Sequence, residues 1–305
     1  MKRGGNHLRI VNTLMAWLIT GGSGQLGIAV SQELGDRRLV FTAPKSLELD
    51  ITLIPNVYEF IGQMSPEVII NCAAWTDVDG AEMNELQASQ VNSNGAENVA
   101  LAAKQYGAKL IHVSTDYVFS GEGKTPWQVG DRIDPQSAYG RTKAEGESRV
   151  LATYPENSSI VRTAWLYSPW DKNFAKTMTR LAINGDVDVR VVNDQMGQPT
   201  SAVDLAKQLV ELGLSNSPAG IYHGTNSGEA TWFEFAQEIF RLAGEDVNRV
   251  VPVSSSEYRR PARRPAYSVL SHDAWAKTSL KPMRDWRIAL QEAMPAIISA
   301  VKAEG

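Results

Sequence analysis

The sequence is short of several things, and each shortage removes a class of answer. It holds one cysteine, Cys72, so neither an internal disulfide nor a cysteine-based metal cage can form, and a reducing, cytoplasmic address is expected. Its histidines, His7, His112, His223 and His272, stand far apart with no metal-ligand spacing among them, and no metal is expected. No stretch approaches the roughly 20 uninterrupted apolar residues of a membrane span. An excess of either charge is also missing: 30 basic and 34 acidic residues leave a net charge of −4, too little of a positive field to hold nucleic acid or an anionic membrane. An anionic ligand must therefore be gripped locally. Residues 1–14 are basic but lack the apolar run and small-residue cleavage site of a signal peptide, and read as a disordered tail, with folding starting near Met15.

What the sequence does have is 305 residues, 43% of them hydrophobic, enough to bury a sizeable core. Ala16–Thr20 is a short apolar run that stops at a glycine cluster, and Leu26–Leu34 continues with helical spacing: strand, tight turn, helix. Apolar runs return at Leu39–Phe41, Val68–Ile70, Leu110–Val113 and Ile160–Val161, separated by helical segments of which Gln87–Tyr106 and Ser137–Tyr154 are the longest. Such alternation means βαβ units. Val189–Val192 and Ile221–His223 are expected to rejoin the same sheet, with Ala202–Leu214 a helix between them. The sequence thus predicts an α/β fold: a doubly wound parallel-sheet Rossmann domain over 15–165 and 188–223, and a smaller, mostly helical lobe over 166–187 and 224–305. A ligand in such a fold belongs at the carboxyl ends of the strands, between sheet and lobe.

Two motifs carry chemistry. Gly21, Gly24 and Gly27 punctuate the first turn, where glycine lets a diphosphate approach free N–H groups at a helix start, with Gln25 and Leu26 between them. The G-x-x-G-x-x-G spacing is that of the short-chain dehydrogenase/reductase superfamily. Further on, Tyr139 and Lys143 lie four apart at a helix start, on one face, so that an ammonium beside a phenol is expected to lower the phenol's pKa toward the range of a working proton donor. Thr115, at the end of a predicted strand, supplies a hydroxyl to hold a substrate carbonyl. For the coenzyme, counting about 20 residues past the turn selects Glu48 or Asp50 as a ribose-binding acid. Strand geometry instead ends the second strand near Thr42, with no carboxylate over 43–46 and Lys45 available to a 2′-phosphate, which favours NADPH over NADH.

With these motifs in place, the chain resembles the dTDP-4-dehydrorhamnose reductase family, in the extended branch of that superfamily. The resemblance spans about residues 15–300 and runs through Gly24–Gly27, Asn71–Asp79, Val91-Asn92, Ser114–Phe119, Tyr139-Gly140, Arg162–Tyr167, Asn173-Phe174, Asp194-Gln195, Pro199-Thr200 and Arg264-Pro265. Cys72, Trp75 and Ser271 depart from the usual residues, and the acidic second-strand residue of some members is absent. The resemblance implies reduction of the C4 keto group of a dTDP-4-keto-6-deoxyhexose, with Thr115, Tyr139 and Lys143 catalytic. It implies Asp50 and Ile51 on the adenine side and Ala73, Ala74 and Asn92 lining the cofactor or fixing the strand ends beside it. Tyr117, Trp165 and Asn173 would touch the nucleotide-sugar, and Arg264 would hold its diphosphate, making the lobe substrate-binding. Magnesium assists a dimer in some members, though the sequence offers no ligand set for it, and a monomer or homodimer is expected. Thr115-Asp116 is followed by Tyr117 rather than the glutamate of the related dehydratases, which disfavours elimination. Reductases of other dTDP-4-keto-deoxysugars share every motif named, and a non-catalytic NADP-binding regulatory subunit of the methionine adenosyltransferase type stands as the alternative from another class.

Overall fold

The computed structural model describes residues 16–304, so the tail expected over 1–14 lies outside the described residues. In chain order the elements are β1 (Ala16–Thr20), α1 (Gln25–Asp36), β2 (Val40–Thr42), α2 (Ile54–Met64), β3 (Val68–Asn71), α3 (Val78–Met83), α4 (Glu85–Ser89), α5 (Ala96–Tyr106), β4 (Lys109–Thr115), α6 (Ala138–Thr153) and β5 (Ser158–Thr163). There follow β6 (Leu166–Tyr167), α7 (Phe174–Ile183), β7 (Val189–Val192), β8 (Met196–Gly197), β9 (Thr200–Ser201), α8 (Ala202–Leu214), β10 (Gly220–His223), β11 (Ala230–Thr231), α9 (Trp232–Ala243), β12 (Val250–Val253) and α10 (Trp286–Ala303).

Six strands form one parallel sheet in the order β10-β5-β4-β3-β1-β2. Successive side chains of a strand face opposite ways, and β1 shows it: Trp17 and Ile19 enter a core with α1 and α8, while Leu18 enters a second core with α2, α5 and α6. The chain runs from β1 outward to β2 and then back past β1 to β3, so the crevice between β1 and β3 is the switch point where such sheets bind ligands.

One expected strand goes elsewhere. Val189–Val192 pairs in parallel with β12 in a separate two-stranded sheet and does not rejoin the large one. The reason is in its pattern: Val189 and Val191 are buried while Arg190 between them is exposed, a one-faced strand, whereas β3 is buried at all four positions, as a strand covered on both sides must be. The valines join a third core with α7, α9 and α10. Conversely Trp275 and Met283, assigned by sequence to the lobe, pack in the sheet core, where the Trp275 ring stacks on Tyr222 and its Nε1 donates to His223 O at 2.8 Å. The long helix expected over Gln87–Tyr106 is interrupted by a π-helical stretch, Gln90–Gly95, that centres on buried Asn92.

Candidate active site

A cleft of about 540 Å³ runs along the carboxyl ends of the sheet, lined at one end by the glycine turn and at the other by Thr115, Tyr139 and Lys143. Gly21 has φ +66°, a left-handed conformation, and a side chain there would strike Ala73 N at 2.7 Å; one at Gly27 would strike Gly21 O at 2.2 Å. Only glycine permits this turn. Gly24 caps α1 without a side chain and the first turn carries no acid, which leaves its N–H groups and positive dipole end facing the cleft. Those features, with the unpartnered buried hydroxyls of Ser114 and Thr163 on the cleft floor, fit a dinucleotide whose diphosphate sits on the turn. Gln25 turns its Oε1 to Ser168 Oγ at 2.9 Å and Asn173 Nδ2 at 3.0 Å, joining turn to lobe.

The other expected cofactor positions divide. Leu26, Asp50, Ile51, Ala73 and Ala74 line the cleft. Asn92 does not: its Oδ1 accepts from Trp75 N at 2.9 Å and its Nδ2 donates to Trp75 O and Thr142 Oγ1, so it fixes the loop after β3, the second of the two roles the resemblance implied. Asp50 Oδ1 accepts from Thr52 N and Thr52 Oγ1, next to Ile51. Strand β2 does end at Thr42, but Lys45, although exposed, is not in the cleft lining; its neighbour Ser46 is in the wall, and the Glu48 carboxylate accepts from Lys45 N at 2.8 Å.

Helix α6 begins one residue before Tyr139, with Ser137 Oγ capping Gly140 N at 3.1 Å. At four-residue spacing, Tyr139, Lys143 and Glu147 share one face. Lys143 is buried and its Nζ donates to Val113 O on β4 at 2.7 Å. Burial lowers its pKa to about 8, with Glu147 and Cys72 opposing. Glu147 makes a bidentate pair with Arg162 on β5, at 2.9 and 2.7 Å, that anchors the helix to the sheet.

Two sequence expectations are corrected here. Burial pushes the Tyr139 phenol above the ordinary tyrosine range, with a hydrogen bond to Thr115 pulling the other way. The Lys143 ammonium does not offset this because it points at Val113 O instead. Tyr139 is thus held as a neutral phenol, the form a proton donor requires. Asn173 lines neither cleft: it caps α7, accepting from Lys176 N at 3.0 Å, and its Nδ2 is shared among Gln25, Ser168 O and Trp170 O. Thr115 Oγ1 donates to Asp116 Oδ1 at 2.9 Å, and burial raises the Asp116 carboxyl to about 6.

Beyond Tyr117 and Trp165 a second cleft of about 550 Å³ opens, walled by Phe174, Arg190, Trp232 and Arg264. Tyr117 and Trp165 line both clefts. The Trp165 ring stacks on Trp232, centroids 3.6 Å apart and planes within 10°, with Trp165 itself in a left-handed conformation, φ +46°. The sequence puts Trp232 in the lobe but does not mark it as a site residue; its one local mark is its place as first residue of α9, inside the Thr231–Glu234 capping box. Arg264 lines this second cleft and is already engaged: Nη2 meets Asp79 Oδ2 at 2.8 Å and Nη1 donates to Tyr117 Oη at 3.3 Å.

A parallel sheet with a glycine turn at its switch point and a tyrosine–lysine helix beside it defines a nicotinamide-binding reductase of the extended short-chain type. The chain belongs to the family described as RmlD substrate binding domain, whose model matches residues 15–298. A dTDP-4-dehydrorhamnose reductase of Streptomyces griseus is 45% identical over 92% of this chain and 93% of its own. A Streptomyces antibioticus protein named as a probable dTDP-4,6-dihydroxy-2-methyloxan-3-one 4-ketoreductase is 43% identical over 94% and 97%. Among solved structures, the Bacillus anthracis dTDP-4-dehydrorhamnose reductase in complex with NADP superposes with a TM-score of 0.88 at 38% identity, covering 92% of this chain and 99% of that one.

Proposed function

We propose that this protein reduces the C4 keto group of dTDP-4-dehydro-L-rhamnose to dTDP-L-rhamnose, using NADPH. The observation that carries this is the junction of two clefts at Tyr117 and Trp165, with a proton donor, Tyr139, on one side and a guanidinium, Arg264, on the other. The nicotinamide supplies the hydride. Everything else falls to the chain: the α1 N-terminus holds the cofactor diphosphate, Arg264 the substrate diphosphate, and the Trp165 face the C–H surface of the sugar. Tyr139 Oη gives its proton to the carbonyl oxygen as it becomes an alkoxide, and Thr115, expected from sequence to hold that carbonyl, instead donates to Asp116 Oδ1 and steadies the phenol. Lys143, whose pKa burial lowers to about 8, would hold the nicotinamide ribose once it leaves Val113 O, and its charge would then stabilise the phenolate left behind. A binding subunit would not require a neutral phenol beside a hydroxyl in the cofactor cleft. Among the described residues no group of three or more His, Cys, Asp or Glu side chains gathers.

The Streptomyces antibioticus relative supports a second reading, the same reduction on a different dTDP-4-keto sugar. The decisive assay follows nicotinamide absorbance with dTDP-4-dehydro-L-rhamnose and other dTDP-4-keto sugars. Tyr139→Phe should cost about 10²–10⁴ in kcat with cofactor affinity unchanged. Near-normal turnover in that variant would refute the assignment, and a higher kcat/KM for another sugar would replace the substrate.

A further inference from the structure

The short helix α3 touches both ends of the reaction. Its Asp79 takes Arg264 through Oδ2 at 2.8 Å and the backbone N–H of Ala262 through Oδ1 at 3.2 Å, so one carboxylate holds both the guanidinium and the loop that carries it. One turn on, Glu82 Oε1 accepts from Ala138 N at 2.8 Å, the first N–H of α6 and the residue before Tyr139. Between these two carboxylates Ala81, with Ala88 of α4, forms the buried floor on which the Tyr139 ring rests. The circuit closes on the far side, where Arg264 Nη1 reaches Tyr117 Oη and the Tyr117 ring meets Tyr139 edge to face, centroids 5.6 Å apart. Glu85 adds a bidentate pair to Arg141, both contacts at 2.7 Å, tying α4 to the same helix.

These contacts join segments 56 and 185 residues apart in the chain: Glu82 holds the residue before the phenol, and Asp79 holds the guanidinium itself. We infer that α3 is a caliper that sets the distance between the diphosphate clamp and the proton donor, with Asp79 the positioning residue for Arg264 and Glu82 the positioning residue for Tyr139. This rests on Arg264 binding the substrate diphosphate. Neither carboxylate touches the reacting atoms, so each acts through its partner, and the two must fail differently. Glu82 governs only where the phenol stands during proton transfer. Asp79 governs only how the guanidinium meets the ground-state diphosphate, an interaction made equally in substrate and transition state.

The test uses the full chain, steady-state kinetics with the dTDP-4-keto sugar, and NADPH affinity by fluorescence as the measure of an intact cofactor cleft. Glu82→Ala should lower kcat about tenfold with KM within twofold, since a donor displaced by a fraction of an ångström loses alignment. Glu82→Gln keeps an oxygen that accepts from Ala138 N and should restore most of that loss. Asp79→Ala should raise KM about tenfold and leave kcat within twofold. If Glu82→Ala loses NADPH binding, Glu82→Asp and Glu82→Gln carry the comparison: the shorter acid must lose kcat while the amide keeps it. Equal impairment of Gln and Ala, or kcat and KM moving together in either series, would overturn the caliper. Arg264→Ala in the same assay separates the two readings: unchanged KM there refutes the diphosphate clamp. Raised KM there with unchanged KM in Asp79→Ala refutes the role of α3.

Discussion

At the scale of single residues, Lys143 gives the sharpest handle on pH. Burial brings its folded pKa from the ordinary 10.5 to about 8. Between those values the unfolded chain binds the proton that the folded one has released, so this group makes stability rise with pH across that window. Cofactor affinity should move the opposite way, falling as pH passes about 8, because the ammonium that grips the ribose is lost. Titrating NADPH affinity and denaturation midpoint together from pH 7 to 10 checks both signs, and Lys143→Met should flatten both curves. Coenzyme choice belongs to this scale too. With Lys45 exposed at the end of β2, any NADPH preference should be modest, about fivefold, and fade in salt. Lys45→Ala should abolish it, and an NADH preference at every salt concentration would place the 2′-position against Glu48 instead.

At the scale of elements, what the sequence disclosed and what it hid divide by the distance over which each feature is built. The glycine turn, the Tyr139–Lys143 face and helices such as Ala202–Leu214 are local, and periodicity reports them. The caliper contacts of α3, the Trp165–Trp232 stack and the engagement of Asn173 with Gln25 join distant segments, and no spacing announces them. Strand β7 lies between: its apolar run was legible as a strand, but which sheet would receive it was not. The anchoring of α6 to β5 has its own test. Replacing Arg162 by Met leaves the Glu147 carboxylate buried without a partner, and should cost about 3–5 kcal/mol in chemical denaturation. Replacing Arg162 by Met together with Glu147 by Leu should recover much of that loss.

At the scale of the whole molecule, the chain passes repeatedly between the large sheet and the lobe. It leaves after β5, returns through α8 and β10, departs again into α9 and β12, comes back to pack Trp275 and Met283 in the sheet core, and ends in the lobe with α10. Bodies laced together in this way cannot separate without breaking one another's cores. Thermal unfolding followed by tryptophan fluorescence and by far-ultraviolet circular dichroism should therefore give one coincident transition; two resolved transitions would contradict the interleaving. The same lacing limits how sugar preference can be re-engineered or exchanged between relatives. The lobe is not a contiguous cassette, and a chimera spliced once, after β10, would carry a foreign Trp275 and Met283 into a native sheet core while leaving the native α7 and β7 to meet a foreign α9 and β12. New specificity in such a scaffold has to arrive one loop at a time.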